Sequence, residues 1–233
     1  MIMAWFVAAA ASSTHDALRT WATTRGCAFG TVEIAASSLG CGVGMFATAE
    51  IDQGEMLFAV PRRLNVGLAA ALSDAECGSE FEAEADEGGA MSALCAFIAK
   101  QHLCSTSPYL ATLPELSAAT SDQVQHWASD EVEGLAGTAA YTQACQVRFE
   151  AEEAVKFALG LPSLRQCVVR AVSARDSTAD VDALIAETVR GAHAAVLSRS
   201  FALEDDDPGA REHLTRDTVL YSFISLSHSL PTN

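Results

Sequence analysis

Lysine is nearly missing from this chain: of 233 residues only Lys100 and Lys156 carry an ammonium group, and Lys+Arg total 14 against Asp+Glu 30. The formal charge of −16 repels a phosphate backbone, so a sequence-independent grip on nucleic acid is excluded and no nucleic-acid partner is expected. Close cysteine pairs are missing too. The seven cysteines (Cys27, Cys41, Cys77, Cys95, Cys104, Cys145 and Cys167) never fall in C-x-x-C spacing, which argues against a zinc ribbon or a dithiol redox motif. The six histidines (His15, His102, His126, His193, His213 and His228) show no H-x-x-x-H spacing, and no metal is expected. Neither a P-loop nor a G-x-S-x-G nucleophile motif is present. No apolar run reaches the roughly 20 residues that a membrane span needs, so no membrane partner is expected. Few prolines and glycines (6 and 15) rule out collagen-like or low-complexity architecture.

What is present is apolar surface. Half of the residues are hydrophobic, enough to build a core and to exclude a disordered chain. Scattered odd-numbered cysteines at apolar helical positions read as small buried hydrophobes in a reducing, intracellular compartment, cytoplasm or nucleus, with an organelle such as the chloroplast as the alternative. The opening stretch from Met1 to Ser13 is apolar with small residues after it, but no basic residue precedes its core. Two readings of it stay open, a signal or transit peptide and the start of a packed helix.

The hydrophobic period changes twice. Ser13–Asp16 offers capping residues for a short helix carrying Leu18 and Trp21 and running to about Arg25. Between Thr31 and Pro61 short β-type runs, Thr31–Ile34 and Met56–Val60, alternate with Gly40, Gly42, Gly44 and Gly54. The acidic stretch from Asp74 to Gly89 reads as a solvated loop or frayed helix. From Ala90 the period is helical: Met91, Leu94, Cys95 and Ile98 share a face, as do Val147, Ala151, Ala154, Val155 and Ala158, then Leu164, Cys167 and Val168, then Leu184, Ile185, Val189, Ala192 and Val196. Stops at Ser107–Pro108, Leu113–Pro114, Gly134, Gly160–Pro162 and Asp176–Thr178 divide this region into about five helices. An acidic loop at Glu204–Gly209 precedes a last strand candidate, Thr218–Ile224. The order β, helices, β predicts an α+β fold in which a helical insertion splits a small β-rich domain.

Three ordered blocks carry a resemblance. Leu39–Pro61, reading L-G-C-G-V-G-M-F-A-T-A-E-I-D-Q-G-E-M-L-F-A-V-P, resembles the opening of the SET domain in the Rubisco large-subunit methyltransferase-like family. Ser107–Pro114, with Trp127 and Glu131 behind it, is similar to a block in that family's helical insertion, and Ala195–Phe201 to the V-x-S-R-x-F by which the chain re-enters the SET fold. The resemblance implies these boundaries: 1–30 an N-terminal helical segment, 31–89 the first part of the SET domain, 90–197 the helical insertion, and 198–233 the second part, incomplete. Strands within 31–61 are expected to pack against one near 218–224.

The activity implied is transfer of a methyl group from S-adenosyl-L-methionine to a lysine of a protein substrate, with histidine as the variant target seen in an actin-directed member. A monomer is expected. By the same resemblance Gly42 and Gly44 let the backbone pass close to the cofactor, Glu55 meets its adenosine part through carboxylate or backbone, and Leu57 lies beside the adenine. Arg199 reaches the methionyl carboxylate, a contact suited to a planar guanidinium. Singly, these are ordinary residues: turn glycines, a surface turn acid, a cation at a helix C-terminus. Their common register is what distinguishes them.

The C-terminal block departs from the pattern. At the family's D-x-x-N-H motif the chain has Ile224-Ser-Leu-Ser227-His228, so His228 matches while Ile224 and Ser227 replace the aspartate and the asparagine. The catalytic tyrosine expected downstream has no counterpart in the 233 residues, and Tyr221 precedes the motif. The reading is therefore a protein-lysine methyltransferase site that is incomplete in this chain. Two alternatives stand beside it: a non-catalytic SET remnant whose helical part binds a protein, and a plain acidic helical interaction domain.

Overall fold

The computed structural model describes residues 16–36, 43–105, 116, 123–173, 179–202 and 218–220. Contacts divide these residues into two compact units that meet in sequence at Asn65–Val66.

The first unit is mainly β. Residues 16–24 form a helix, α1, that buries Leu18 and Ala22. Its C-terminal end is closed by Arg25, whose guanidinium lies 4.8 Å from the ring centre of Trp21. Strand β1 (Ala28–Phe29) pairs antiparallel with β4 (Phe58–Ala59). Strands β2 (Val32–Ala36) and β3 (Val43–Ala47) form an antiparallel hairpin in which Val32 faces Ala47 and Ala35 faces Gly44. The β character of these strands follows from their β-branched and aromatic residues, Val32, Ile34, Val43, Phe46 and Phe58 among them, and Gly54 marks a turn. A short 3-10 turn, Arg62–Leu64, ends the unit.

The second unit is helical with one small sheet. Among the described residues five helices run from Ala90 onward, as the periodicity predicts: α4 (Ala90–Cys104), α5 (Ser129–Glu133), α6 (Ala139–Leu159), α7 (Pro162–Ser173) and α8 (Val181–Arg199). Two more precede them, α2 (Leu68–Leu72) and α3 (Gly78–Asp86). Here the reading of 74–89 as a solvated loop or frayed helix is corrected: α3 is a regular helix because Phe81, fully buried against Phe97, anchors its otherwise acidic sequence. Strands β5 (Val66–Gly67), β6 (Ser200–Ala202) and β7 (Thr218–Leu220) form an antiparallel sheet in the order β5-β7-β6. The strand expected near 218–224 thus makes its ladder with Val66–Gly67 and Ser200–Ala202, and not with the strands of 31–61. At the coarse level the fold is α+β.

Helix α4 is the axis of this unit and packs against α2, α3, α6, α7 and α8. It buries every residue from Ser92 to Lys100, because this stretch is apolar on all sides apart from Ser92 and that lysine. Around it, α6 and α8 present mainly small residues, Ala144, Ala151, Ala154 and Ala158 on one and Ala192, Ala194 and Ala195 on the other. Local signals set the helix ends. Thr138 Oγ1 accepts the Tyr141 N–H at the start of α6, Glu131 accepts the Ala128 N–H at 2.6 Å before α5, and Asp180 accepts the N–H groups of Asp182 and Ala183 before α8. Pro162 opens α7, where its missing N–H is not needed.

Lys100 enters this apolar interior with its charge intact. Its Nζ donates to Asp74 Oδ1 at 2.6 Å and to Glu76 Oε2 at 2.9 Å, and its side chain is only 7% exposed. Asp74 Oδ1 also accepts the backbone N–H groups of Glu76 and Cys77, fixing the entry to α3. Glu76 is held from the other side by Arg170 of α7 and by the thiol of Cys167. Hydrogen bonds from Lys100, Cys167 and Arg170 hold Glu76 down at about 2. Burial alone would raise the Asp74 carboxyl and lower the Lys100 ammonium. Burial is the largest single effect on each, but the others together outweigh it. Lys100 and the Cys77 and Glu76 N–H groups donate to Asp74, Lys100 donates to Glu76 as well, and the opposite charges attract. Asp74 therefore sits below and Lys100 well above its ordinary value.

Two outcomes follow from this packing. Lys100→Met leaves Asp74 buried without its cation, and is expected to cost about 3 kcal/mol, read as a lowered urea midpoint. Because both carboxylates titrate below their unfolded values, wild type is expected to lose this contribution as pH falls from about 4 towards 2, while Lys100→Met lacks that acid-dependent loss. At Gly191 on α8, an added Cβ would lie 2.4 Å from the Leu116 carbonyl oxygen and 2.6 Å from its Cα. Alanine's helix advantage of about 1 kcal/mol over glycine is therefore overridden, and Gly191→Ala should destabilise by about 1–3 kcal/mol in the same measurement.

Candidate functional site

The residues singled out by register divide between the units. Gly44, Glu55 and Leu57 belong to the β unit, and Arg199 closes α8 in the helical unit, leading directly into β6. Gly42 and His228 lie outside the described residues, as do Cys41, the Ser107–Pro114 block, the acidic 204–209 loop, Tyr221, Ile224 and Ser227.

Glu55 sits at a built corner. Asp52 O accepts the Glu55 N–H at 3.0 Å across a turn whose third residue, Gly54, has φ +90°, a backbone geometry that glycine adopts without strain. The carboxylate of Glu55 is occupied within the chain: Oε1 accepts the hydroxyl of Thr31, and Oε2 accepts the Asp52 N–H at 3.1 Å. The Thr31 hydroxyl, then the Asp52 N–H, hold the Glu55 carboxyl below its ordinary value. Thr31 also accepts the Thr48 N–H on its carbonyl, so one residue ties the 52–55 turn to the open end of the β2–β3 hairpin. Next to it Gly30 donates its N–H to Leu57 O at 2.8 Å, and a Cβ on Gly30 would lie 2.2 Å from Met56 O, so only glycine fits this crossing.

What this corner presents outward is apolar. Met56 is 55% exposed and Leu57 38%, with Ile51 similar, next to the acids Glu50 and Asp52. Gly44 is set apart from it. It pairs with Ala35, four residues along from Thr31, roughly 13 Å at strand rise. The structure thus brings Glu55 and Leu57 together and places Gly44 further along the same hairpin. Since both oxygens of Glu55 are engaged by Thr31 and Asp52, a ligand here would meet the exposed Met56 and Leu57.

Thr31, Gly30 and Asp52 are the parts that sequence reasoning missed. Only Gly54, within the Asp-Gln-Gly-Glu string, carried a turn signal strong enough to find. In the helical unit three thiols are structural. Cys77, Cys95 and Cys167 are buried free thiols whose pKa burial raises, Cys77 to about 12, which removes them as nucleophiles. Among the described residues no group of three or more His, Cys, Asp or Glu is placed to hold a metal ion, and no helix is long and apolar enough to cross a membrane. No protein-family model matches the chain, and no curated protein matches its sequence.

The corner can be tested at Gly54. Nothing lies within 4 Å of a Cβ there, so Gly54→Ala adds backbone strain without a clash. It is expected to lower stability by about 1–2 kcal/mol and to speed exchange of the Glu55 amide, while Gln53→Ala stays within about 0.5 kcal/mol of wild type.

Proposed function

We propose that the chain is an S-adenosyl-L-methionine-dependent protein methyltransferase of the SET type, directed at lysine, in which the cofactor site is weakened. The observation that supports it most is the Glu55–Leu57 corner. A glycine-containing string in family register contains a turn whose acid is locked internally and whose next residues, Met56 and Leu57, are exposed apolar residues, a fit for the apolar face of an adenosine. By the resemblance, Arg199, the last residue of α8, is the residue proposed for the methionyl carboxylate.

The cofactor supplies a methyl group already activated on its sulfonium. The protein's task is then to hold a neutral amine in line with that methyl, and alignment of this kind supplies most of the rate. In this reading Glu55 acts as a positioning residue: it keeps the 52–57 backbone in place and does not itself touch substrate.

Ile224 and Ser227 support the second reading, a non-catalytic SET remnant that binds a protein through its helical part. A serine in place of the family's asparagine loses an amide that both donates and accepts, worth about 1 kcal/mol for each bond. A histidine target remains the variant of the first reading.

Titration calorimetry with S-adenosyl-L-methionine, paired with a radiolabelled-methyl assay on a protein extract, separates these. Weak binding that falls about tenfold in Arg199→Ala, with little or no methyl transfer, is the expected result. Absence of binding, or binding indifferent to Arg199→Ala, overturns the cofactor reading. Robust transfer that disappears in Arg199→Ala instead overturns the claim that Ile224 and Ser227 weaken the site.

A further inference from the structure

In the helical unit five cations are answered by acids: Lys100, Lys156, Arg165, Arg170 and Arg190 each lie within 3.8 Å of a carboxylate oxygen. The β unit differs. Arg19, Arg25 and Arg63 are all exposed, and among the described residues none of the three meets a carboxylate.

These guanidinium groups are held by contacts that leave their charge unopposed. Arg19, on α1, lies 6.0 Å from the ring centre of Phe29 in β1, and Arg25 lies 4.8 Å from that of Trp21. Arg63, in the 3-10 turn Arg62–Leu64, donates from Nη2 to Arg25 O at 2.5 Å, so it stands beside Arg25 at the C-terminal end of α1. The backbone there is closed on itself. Gly26, at φ +89°, donates its N–H to Thr23 O, and Cys27 donates to Ala22 O, both at 3.0 Å. An aromatic face orients a guanidinium without cancelling its charge, and one backbone bond leaves Arg63 most of its N–H donors.

The charge balance of this part of the chain favours an anionic ligand. Up to Asn65, Arg19, Arg25, Arg62 and Arg63 nearly balance Asp16, Glu33, Glu50, Asp52 and Glu55, so the acid excess of the chain lies after that residue. At physiological salt, charges more than about 8 Å away are largely screened, and a short ligand at the α1–β1 loop meets arginine. A long polyanion reaches beyond the patch and is repelled by the acidic remainder. The three cations come from three places in the backbone and each offers a single charge. That spread matches single carboxylates carried along a peptide better than one compact dianion.

We propose that Arg19, Arg25 and Arg63 form a docking surface for a short acidic segment of a protein partner, whose carboxylates supply what Asp and Glu side chains supply to the cations of the helical unit. Phe29 and Trp21 orient two of the guanidinium groups before the partner arrives, which lowers the ordering cost of binding. This inference is independent of the cofactor reading, since none of its residues belongs to the Glu55 corner.

Fluorescence anisotropy with a short labelled Asp/Glu peptide and the full chain tests it. Binding is expected, and it should weaken several-fold between about 20 mM and about 300 mM salt, because exposed charges are screened. Arg19→Gln, Arg25→Gln and Arg63→Gln combined should weaken it about tenfold, whereas Arg148→Gln, Lys156→Gln and Arg165→Gln combined, which remove the same charge, should change it less than about twofold. The proposal is overturned if the acidic peptide does not bind, if the first triple variant loses less than about threefold, or if the second loses as much as the first. It is also overturned if a neutral peptide with one phosphoserine, or a single-stranded oligonucleotide, binds more tightly than the acidic peptide. Should the first triple variant fail to fold, Arg19→Gln with Arg25→Gln decides, since these two side chains make only ring contacts. A loss of about threefold or more then supports the docking surface, and a smaller one overturns it.

Discussion

The helical unit depends on one buried cation. Lys100 is the only charged residue of α4, and α4 is the helix on which α2, α3, α6, α7 and α8 all pack. An ammonium inside such a core is tolerated only because Asp74 and Glu76 reach it, and both stand in the segment leading into α3. The same charge that needs satisfying therefore dictates where α3 begins. Through Glu76 it also reaches Arg170 and Cys167 on α7. An apolar side chain at position 100 would leave these elements to be oriented by the shapes of their buried apolar side chains alone.

Much of this architecture was legible. The apolar spacing of 90–197 corresponds to five helices among the described residues, and Gly160–Pro162 marks the end of one and the start of the next. What periodicity missed was decided by tertiary contact. Nothing in the acidic string Gly78–Asp86 favours a packed helix except Phe81, and its effect depends on Phe97, which is distant in sequence. Strands β5 and β6 are two and three residues long, too short to show alternation, and exist because β7 pairs with both. Lys100 did carry a signal, as a lone charge in an apolar helix, but its partners were hidden in a stretch that read as solvated surface.

The candidate site divides along the same line. The turn at Gly54 was readable because positive φ selects glycine locally. The role of Glu55 was not, since its partner Thr31 is 24 residues away and joins a different pair of strands. A glutamate in family register suggested a ligand contact, whereas the geometry engages both of its oxygens within the chain. Glu131 behaves alike: its place in the Trp127–Glu131 block coincides with a carboxylate that caps α5. In both cases a short motif preserves a turn or a helix start, and any contact with a ligand would rest on the backbone so arranged.

The burial of Lys100 also sets the amine chemistry open to this chain. Of its two lysines, one is enclosed between two carboxylates and protonated far above neutral pH, while Lys156 on α6 has a side chain 79% exposed. Acylating reagents, amine cross-linkers and enzymes that acetylate or ubiquitinate side-chain amines would all meet a folded protein with a single available lysine. Each such mark would fall on the same helix, one turn from the Glu152 that anchors Arg190.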